Sequence, residues 1–236
     1  MTTQWIDIAA TDGGTYGAYL ALPPRQGPGG RNPGLVLFQE IFGVNRHIRA
    51  VAEQYALDGF VVLAPDVFWR QAPRVELGYD GADADRARQL MGAADGRQLA
   101  ADVATTVATL RARPEVAGKV AAMGYCMGGR LAYVAAATAG VDAAVCYYGG
   151  GIQTQLDLAP RIACPVQFHY GGNDSHIPPE AVAQVETAFV GKEAEFNLYP
   201  EAQHGFNCRD RASYDAGSAA LAHGRTLAFL AERLFR

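Results

Sequence analysis

Cys126 lies in a segment whose residue types suit nucleophilic catalysis. The run Gly-Tyr-Cys-Met-Gly at residues 124–128 follows the apolar segment 119–123 and precedes a helix-like stretch at 131–137. Cysteine between two glycines at a strand-to-helix turn matches a nucleophile elbow, where serine is the usual central residue. The glycines permit a tight turn, and the N-terminal end of a helix favours a thiolate. The pattern predicts a reactive thiolate, and the alternative is a buried cysteine in a glycine-rich turn.

Asp174 and His204 could complete a catalytic triad with this cysteine. Each follows a predicted strand, at 166–170 and 195–199 respectively. The chain order nucleophile, acid, histidine is that of the α/β-hydrolases. In such a triad the thiolate attacks a carbonyl, the imidazole moves protons and the carboxylate fixes the imidazole tautomer. Three placements that agree with one template predict a Cys126–Asp174–His204 triad.

Other interpretations exist for the single residues. Asp174 could cap the helix that follows it, and His204 could be a solvated loop residue. Asp66 also follows a strand, but it precedes Cys126 and breaks the chain order. His169 falls within a predicted strand, so we expect it in the core. The remaining histidines have no matching motif: His47, His176 and His223.

The segment Gln-Glu-Ile-Phe-Gly at 39–43 follows the first buried strand. In this arrangement the loop after that strand supplies one oxyanion N–H, and the residue after the nucleophile supplies the other. We therefore expect an oxyanion hole at the backbone N–H groups of Ile41 and Met127. Glu40 would project towards the thiol, where it could orient water or hold the thiol proton. The alternative for Glu40 is a carboxylate on the rim that faces solvent.

The elements that must position these residues alternate along the chain. An N-terminal hairpin over 6–20 and a Pro- and Gly-rich surface loop over 23–34 come first. Strands are then expected at 35–38, 60–64, 120–123, 143–148, 165–170 and 195–199, and helices at 46–57, 83–91, 98–113, 131–137, 180–189 and 213–234. Continuous apolar strands alternating with helices are typical of a parallel sheet covered on both faces. We predict one α/β-hydrolase domain over 1–236, with a mostly parallel twisted sheet and no separate lid.

Composition narrows the possible partners. Half of the 236 residues are hydrophobic, which is enough for a full core, and the net charge is −4 without a basic block. Nucleic acid and membranes are therefore not expected partners, and neither a signal peptide nor a membrane span is predicted. The four cysteines show no metal-binding spacing, which favours reduced thiols in the cytoplasm and no metal. We expect Cys146 and Cys164 in the core, Cys208 at the surface, and a monomer.

Several motifs together resemble the dienelactone hydrolase family, whose type activity is carboxymethylenebutenolidase. They are Q-E-I-F-G, A-P-D, R-Q-A-P, G-Y-C-M-G-G, Y-Y-G, G-x-D and H-G-F, and they extend over nearly the whole chain. The resemblance implies that Cys126 is the nucleophile, His204 the base and Asp174 its partner. It implies that Glu40 restrains the resting thiol through a hydrogen bond that substrate displaces. It also implies a carboxylic ester hydrolase that acts on a small lactone or ester without a cofactor.

One departure concerns the substrate. Family members that act on dienelactone hold its carboxylate with two arginines, and the best alignment places Ala84 and Cys208 at those positions. The nearby candidates are Arg86, Arg88 and Arg209, but a shift of one or two residues moves a helical side chain to another face. The substrate could therefore be a different lactone or ester. Alternative functions are a thioesterase, peptidase or general esterase of the same fold, a non-catalytic binding protein, and a redox sensor with a Cys126–Cys208 disulfide.

Overall fold

The computed structural model describes residues 1–25, 27 and 31–235. Within them the strands are β1 (Thr2–Ala9), β2 (Thr15–Leu22), β3 (Asn32–Phe38), β4 (Val61–Pro65), β5 (Val116–Tyr125), β6 (Ala143–Tyr147), β7 (Val166–Gly171) and β8 (Ala194–Tyr199). The helices are α1 (Arg46–Leu57), α2 (Gly81–Ala93), α3 (Gly96–Arg111), α4 (Met127–Thr138), α5 (Pro179–Ala188) and α6 (Ala216–Leu234). Two short 3-10 helices, at Ile152–Thr154 and Leu156–Arg161, were not predicted from the sequence.

The strands of this part of the chain form one mixed sheet in the order β1-β2-β4-β3-β5-β6-β7-β8. The N-terminal hairpin of β1 and β2 joins the sheet antiparallel to β4, and from β4 to β8 all neighbouring strands are parallel. Every residue of β3, β4, β6 and β7 is buried. Because successive side chains point to opposite faces of a strand, both faces of the sheet are covered. The predicted mostly parallel sheet is confirmed.

Most predicted boundaries shift by one to four residues, as at β5 and α4, which both begin four residues early. Two of the shifts have a clear local cause. The surface loop predicted over 23–34 ends early because β3 begins at Asn32, whose N–H donates to Glu115 O at 2.9 Å. Gln26 and residues 28–30 of that loop lie outside the described residues. The last helix begins at 216 instead of 213, because Asp215 caps it by accepting a hydrogen bond from Ser218 N at 2.6 Å.

The parallel strands bring the chemically interesting residues to one edge of the sheet. Glu40 follows β3, Cys126 follows β5, Asp174 follows β7 and His204 follows β8. The carboxyl ends of parallel neighbours lie at the same edge, which is where open α/β sheets bind ligands. Among the described residues, no helix combines the length and the apolar character that crossing a bilayer requires.

Candidate active site

Cys126 occupies a strained backbone conformation between β5 and α4. Its φ and ψ are 56° and −118°, a region that residues with side chains rarely adopt. Its N–H donates to Tyr147 O at 3.0 Å, which fastens the turn to the neighbouring strand β6. The side chain is only partly buried. The turn therefore presents the thiol at the sheet edge, in the conformation that the sequence pattern predicts.

Three glycines make this turn possible because main-chain atoms approach them closely. A Cβ atom on Gly124 would lie 2.2 Å from the carbonyl oxygen of Gly128. A Cβ on Gly128 would lie 2.3 Å from Phe38 O and 2.5 Å from Gln39 O, and one on Gly129 would lie 2.6 Å from Tyr147 O. No side chain fits at these distances. The glycines thus bring the loop after β3 directly against the start of α4.

Asp174 and His204 form a short, buried hydrogen bond. His204 Nδ1 lies 2.7 Å from Asp174 Oδ2, and the two residues are 8% and 5% exposed. The other oxygen, Oδ1, accepts the backbone N–H of His176 at 2.8 Å. The residue that caps α5 is Pro178, so the alternative of Asp174 as a helix cap is wrong. The carboxylate is held by two donors and fixes the orientation of the imidazole.

His204 also joins the acid to the cysteine. Burial alone would lower its pKa, but hydrogen bonds to Asp174 and to Cys126 raise the pKa to about 10. Since Nδ1 is engaged by the carboxylate, Nε2 is the nitrogen left for the thiol. The structure therefore brings together the three residues that the sequence grouped, in the order acid, imidazole, thiol.

The expected oxyanion donors lie beside the turn. Met127 is the first residue of α4, so its N–H has no carbonyl partner within that helix. Ile41 is half-buried in the loop after β3. Because Gly128 packs against the carbonyl groups of Phe38 and Gln39, this loop and the N-terminus of α4 are in direct contact. A substrate carbonyl at the thiol would meet both segments.

Glu40 is buried at 1% exposure, so the alternative of a rim carboxylate facing solvent is wrong. Its Oε1 accepts a hydrogen bond from Arg211 Nη1 at 3.0 Å. Its Oε2 is buried without a hydrogen-bond partner among the described residues. Arg211 packs over Gly205, where a Cβ would lie 2.4 Å from Nη1. The buried Glu40 carboxylate thus lies next to the loop that carries His204, which we call the histidine loop. One of its oxygens binds Arg211, and the other has no partner among the described residues.

Arg211 was not among the sequence candidates, although its charge acts on the cysteine. Burial lowers the pKa of Arg211, while Glu40, Tyr148 and Cys126 together raise it. Arg211 therefore lies within electrostatic reach of the thiolate. It follows His204 by a loop whose conformation has no sequence signal, and only the folded chain shows where the guanidinium points.

The predicted substrate arginines lie elsewhere. Arg86 and Arg88 are exposed on α2, and Arg88 pairs with Asp85 at 2.5 Å. Arg209 is exposed and lines a cavity between α1 and α6. The expected surface position of Cys208 is wrong: it is fully buried, and burial raises the pKa of its thiol to about 12.

Two aromatic rings that the sequence did not assign to the site lie beside His204. The ring of Tyr148 lies 5.1 Å from the His204 ring, edge to face, and the ring of His176 lies 4.7 Å away. The hydroxyl of Tyr148 is buried without a partner among the described residues, whereas His176 is largely exposed. Tyr148 belongs to the Y-Y-G motif, which is the only signal that could have indicated it.

The rival residues have structural roles. Asp66 accepts backbone hydrogen bonds from Phe68 at 3.0 Å and Arg74 at 2.6 Å, so its carboxylate holds a loop together. His169 is buried in β7 and stacks on Tyr147 with ring centroids 4.3 Å apart, which confirms the predicted core histidine.

Among the described residues, two groups of side chains have the donor atoms for a metal ion. One consists of Glu40, His47 and Cys208, and the other of Asp174, His176 and His204. In each group the donor atoms lie within 4.8 Å of one another. The second group includes two residues of the predicted triad, so a bound cation there would compete with their hydrogen bond.

The sheet order, the strained turn after β5 and the loops that carry the acid and the histidine define an α/β-hydrolase. The model of the dienelactone hydrolase family matches residues 16–234, and the chain belongs to that family. Carboxymethylenebutenolidase of Pseudomonas putida is 36% identical over 233 residues, which cover 98% of this chain and 97% of the relative. Carboxymethylenebutenolidase 1 of Cupriavidus pinatubonensis is 34% identical over 233 residues, with coverage of 98% and 97%.

Solved structures agree with this assignment. A protein from Klebsiella pneumoniae assigned to the dienelactone hydrolases superposes with a TM-score of 0.87 at 30% identity, covering 98% of both chains. A dienelactone hydrolase-like promiscuous phosphotriesterase from metagenomic libraries gives a TM-score of 0.82 at 25% identity, covering 99% of this chain and 100% of the other. The chain is therefore a hydrolase of the dienelactone hydrolase type.

Proposed function

We propose that the protein hydrolyses a small lactone or carboxylic ester through a Cys126–His204–Asp174 triad. The observation that carries this proposal is the position of His204, whose Nδ1 lies 2.7 Å from the buried carboxylate and whose imidazolium the thiol of the strained turn stabilises. The names of the curated relatives support a lactone of the dienelactone type as the substrate.

The reaction begins when the thiolate of Cys126 attacks the substrate carbonyl carbon. The carbonyl electrons move onto oxygen, and the N–H groups of Met127 and Ile41 stabilise that oxyanion. Protonated His204 gives its proton to the leaving alkoxide as the carbon–oxygen bond breaks, which leaves a thioester. For a lactone, the released hydroxyl stays attached to the acyl group.

Water completes the cycle. Neutral His204 removes a proton from water, which attacks the thioester carbon, and the second oxyanion collapses with departure of the Cys126 thiolate. The product is a carboxylic acid, and the imidazolium and thiolate are restored. Asp174 keeps Nδ1 protonated throughout, so Nε2 alone exchanges the proton.

Arg211 is the cation that we propose for contact with a substrate carboxylate. Its guanidinium is paired with Glu40 and acts on Cys126. A carboxylate bound near the thiol would compete with Glu40 for this arginine. In the resting structure Glu40 pairs with Arg211 and not with the thiol, so the restraining hydrogen bond that the family resemblance implies stays a prediction. The substrate-binding roles of Arg86, Arg88 and Arg209 stay predictions.

The alternatives have less support. A Cys126–Cys208 redox pair needs a reactive second thiol, but Cys208 is buried and burial raises its pKa to about 12. A thioesterase or general esterase would use the same residues and differ only in substrate. A single domain over 1–236, a monomer, a cytoplasmic location and the absence of a cofactor stay predictions.

Replacement of the proposed nucleophile tests the function directly. We expect Cys126→Ala to lower kcat/KM for dienelactone and for p-nitrophenyl acetate by at least about 10³-fold, as removal of a triad nucleophile does. Cys146→Ala is the matched control because Cys146 is buried in the neighbouring strand and should affect stability more than turnover. Retention of the wild-type rate by Cys126→Ala would show that another residue is the nucleophile.

Substrate charge tests the role of Arg211. We expect a lactone carboxylate to be preferred over its methyl ester by about ten- to a hundredfold in kcat/KM, the effect of one charge-assisted hydrogen bond. Arg211→Gln combined with Glu40→Gln, which leaves no buried charge unpaired, should abolish the preference. Arg86→Gln and Arg88→Gln are the matched controls on α2. If only these α2 variants lost the preference, the substrate carboxylate would bind at α2 and not at Arg211.

A further inference from the structure

A cavity of about 390 Å³ lies between α1 and α6. Its size is within the range of small-molecule sites. The loop between His204 and α6 contributes Asn207, Arg209 and Tyr214 to its wall. The described wall includes neither Cys126 nor His204, so this cavity is separate from the candidate active site.

Aromatic rings form much of the wall. Tyr55 and Tyr125 are both buried and line the cavity from α1 and from β5. The Tyr55 and His223 rings meet edge to face with centroids 5.1 Å apart, and the His47 and Tyr125 rings do so at 6.2 Å. A flat aromatic ligand would find ring faces and edges of the kind that such groups prefer.

The polar groups of the wall favour an anion. Arg209 is its one charged side chain at neutral pH, joined by His47 and His223, and the described wall contains no acidic residue. Burial lowers the pKa of both histidines, and the charge of Arg209 adds to the lowering in each case. No carboxylate of the described wall balances the charge of Arg209.

The carboxylates nearest to the cavity pair with other residues and not with Arg209. Asp210 pairs with Arg46 at 2.8 Å, and Asp58 lies 3.5 Å from Nε2 of His223. Within the described residues no ion pair of Arg209 is found. Its guanidinium is therefore available to a ligand.

We propose that this cavity is a second binding site, which takes a small aromatic carboxylate. Arg209 binds the carboxylate, which a guanidinium can do with two hydrogen bonds, and the tyrosines contact the ring. His47 lies between this ligand and the active site. It lines the cavity, and one of its ring nitrogens lies within 4.8 Å of a carboxylate oxygen of Glu40. The proposal does not rest on the proposed hydrolysis, since the triad takes no part in it.

Calorimetric titration with benzoate tests the proposal, with benzamide as the neutral probe of the same shape. We expect benzoate to bind wild type, and to bind equally well after alkylation of Cys126 with iodoacetamide. Benzamide should bind about ten- to a hundredfold more weakly, the effect of losing the charge-assisted contact. Arg209→Gln should weaken benzoate binding by the same factor, whereas Arg97→Gln, an exposed surface control on α3, should leave it unchanged.

A second variant checks the location independently of charge. Ala220 is exposed at the wall, so Ala220→Phe should fill the cavity without disturbing the core and should block benzoate. The proposal is overturned if benzoate does not bind at millimolar concentration, or if benzamide binds as tightly. It is also overturned if alkylation of Cys126 abolishes binding, or if Arg209→Gln and Ala220→Phe both leave it intact.

Discussion

His169 and His204 are both buried imidazoles, and their protonation equilibria shift in opposite directions. His169 lies in β7, where Nδ1 is 2.8 Å from the hydroxyl of Tyr199 and Nε2 is 2.8 Å from Oε1 of Gln167. Burial lowers its pKa to about 3. His204 lies beyond the neighbouring strand β8, and its pKa is raised to about 10 in spite of burial.

The partners of the two rings explain this contrast. Burial disfavours the charged form of both imidazoles. His169 hydrogen-bonds only neutral groups, and the positive charge of Arg225 further disfavours its imidazolium, so nothing compensates for the loss of water. His204 meets the carboxylate of Asp174 and the thiol of Cys126, which stabilise the charged form. A buried histidine can therefore hold and transfer a proton near neutral pH only when acidic groups lie beside it.

We expect the largest effect when His204 loses its negative partner, because it then resembles His169, which has none. We expect Asp174→Asn to lower kcat/KM by about 10³- to 10⁴-fold, because the amide no longer fixes the tautomer or stabilises the imidazolium. The pKa of His204, followed by nitrogen NMR, should fall well below its wild-type value of about 10.

His169→Gln is the matched control for this experiment. It changes a buried imidazole on the adjacent strand and should leave kcat/KM within a fewfold of wild type. Asp66→Asn provides a second control, since that carboxylate only binds backbone N–H groups. A loss of less than tenfold in Asp174→Asn, or an equal loss in Asp66→Asn, would contradict the assignment of the acid.

A smaller effect is expected on stability in acid, where the lowered pKa of His169 and the raised pKa of His204 act in opposite directions. Its pKa is about 3 in the folded protein against the ordinary histidine value of 6.5, so between these values the unfolded chain binds the extra proton. Its contribution to the free energy of unfolding is present above pH 6.5 and is lost as the pH falls, by up to about 1.4 kcal/mol per pH unit. The contribution of His204 to the free energy of unfolding has the opposite pH dependence. It is present below pH 6.5 and is lost as the pH rises through about 10.

Urea unfolding of wild type and His169→Gln at pH 7, 5.5 and 4.5 measures this effect. The free energy of unfolding should fall less steeply with acid in the variant, whatever its stability at pH 7. Parallel curves for the two proteins would mean that His169 is not the group that takes up the proton.

The sequence was sufficient for those parts of the molecule that depend on local patterns. Apolar runs predicted the buried strands, and α1 begins and ends at the predicted residues, 46 and 57. The elbow was recognisable because glycine is required wherever a main chain approaches as closely as it does at Gly124 and Gly128. Asp174 and His204 could be proposed because both follow strands that the sequence predicts, and the structure has them after β7 and β8.

Residues whose position depends on tertiary contacts were missed or misplaced. Arg211 reaches Glu40 through a loop without a repeating pattern, and Cys208 in the same loop is buried although its sequence neighbours are polar. Tyr148 lies beside His204 because β6 and the histidine loop meet at the sheet edge. Hydrophobic periodicity does not report such contacts, since it describes one element at a time.

The contact of Gly128 with the carbonyl groups of Phe38 and Gln39 has a consequence for folding. It requires β3 and β5 to be paired, and these adjacent strands are separated along the chain by α1, β4, α2 and α3. Such non-local pairing forms slowly because a long loop must close first. The strained turn cannot be held before that closure, so the nascent chain carries an ordinary thiol at position 126. The nucleophilic role that we propose for this thiol therefore requires the completed centre of the sheet.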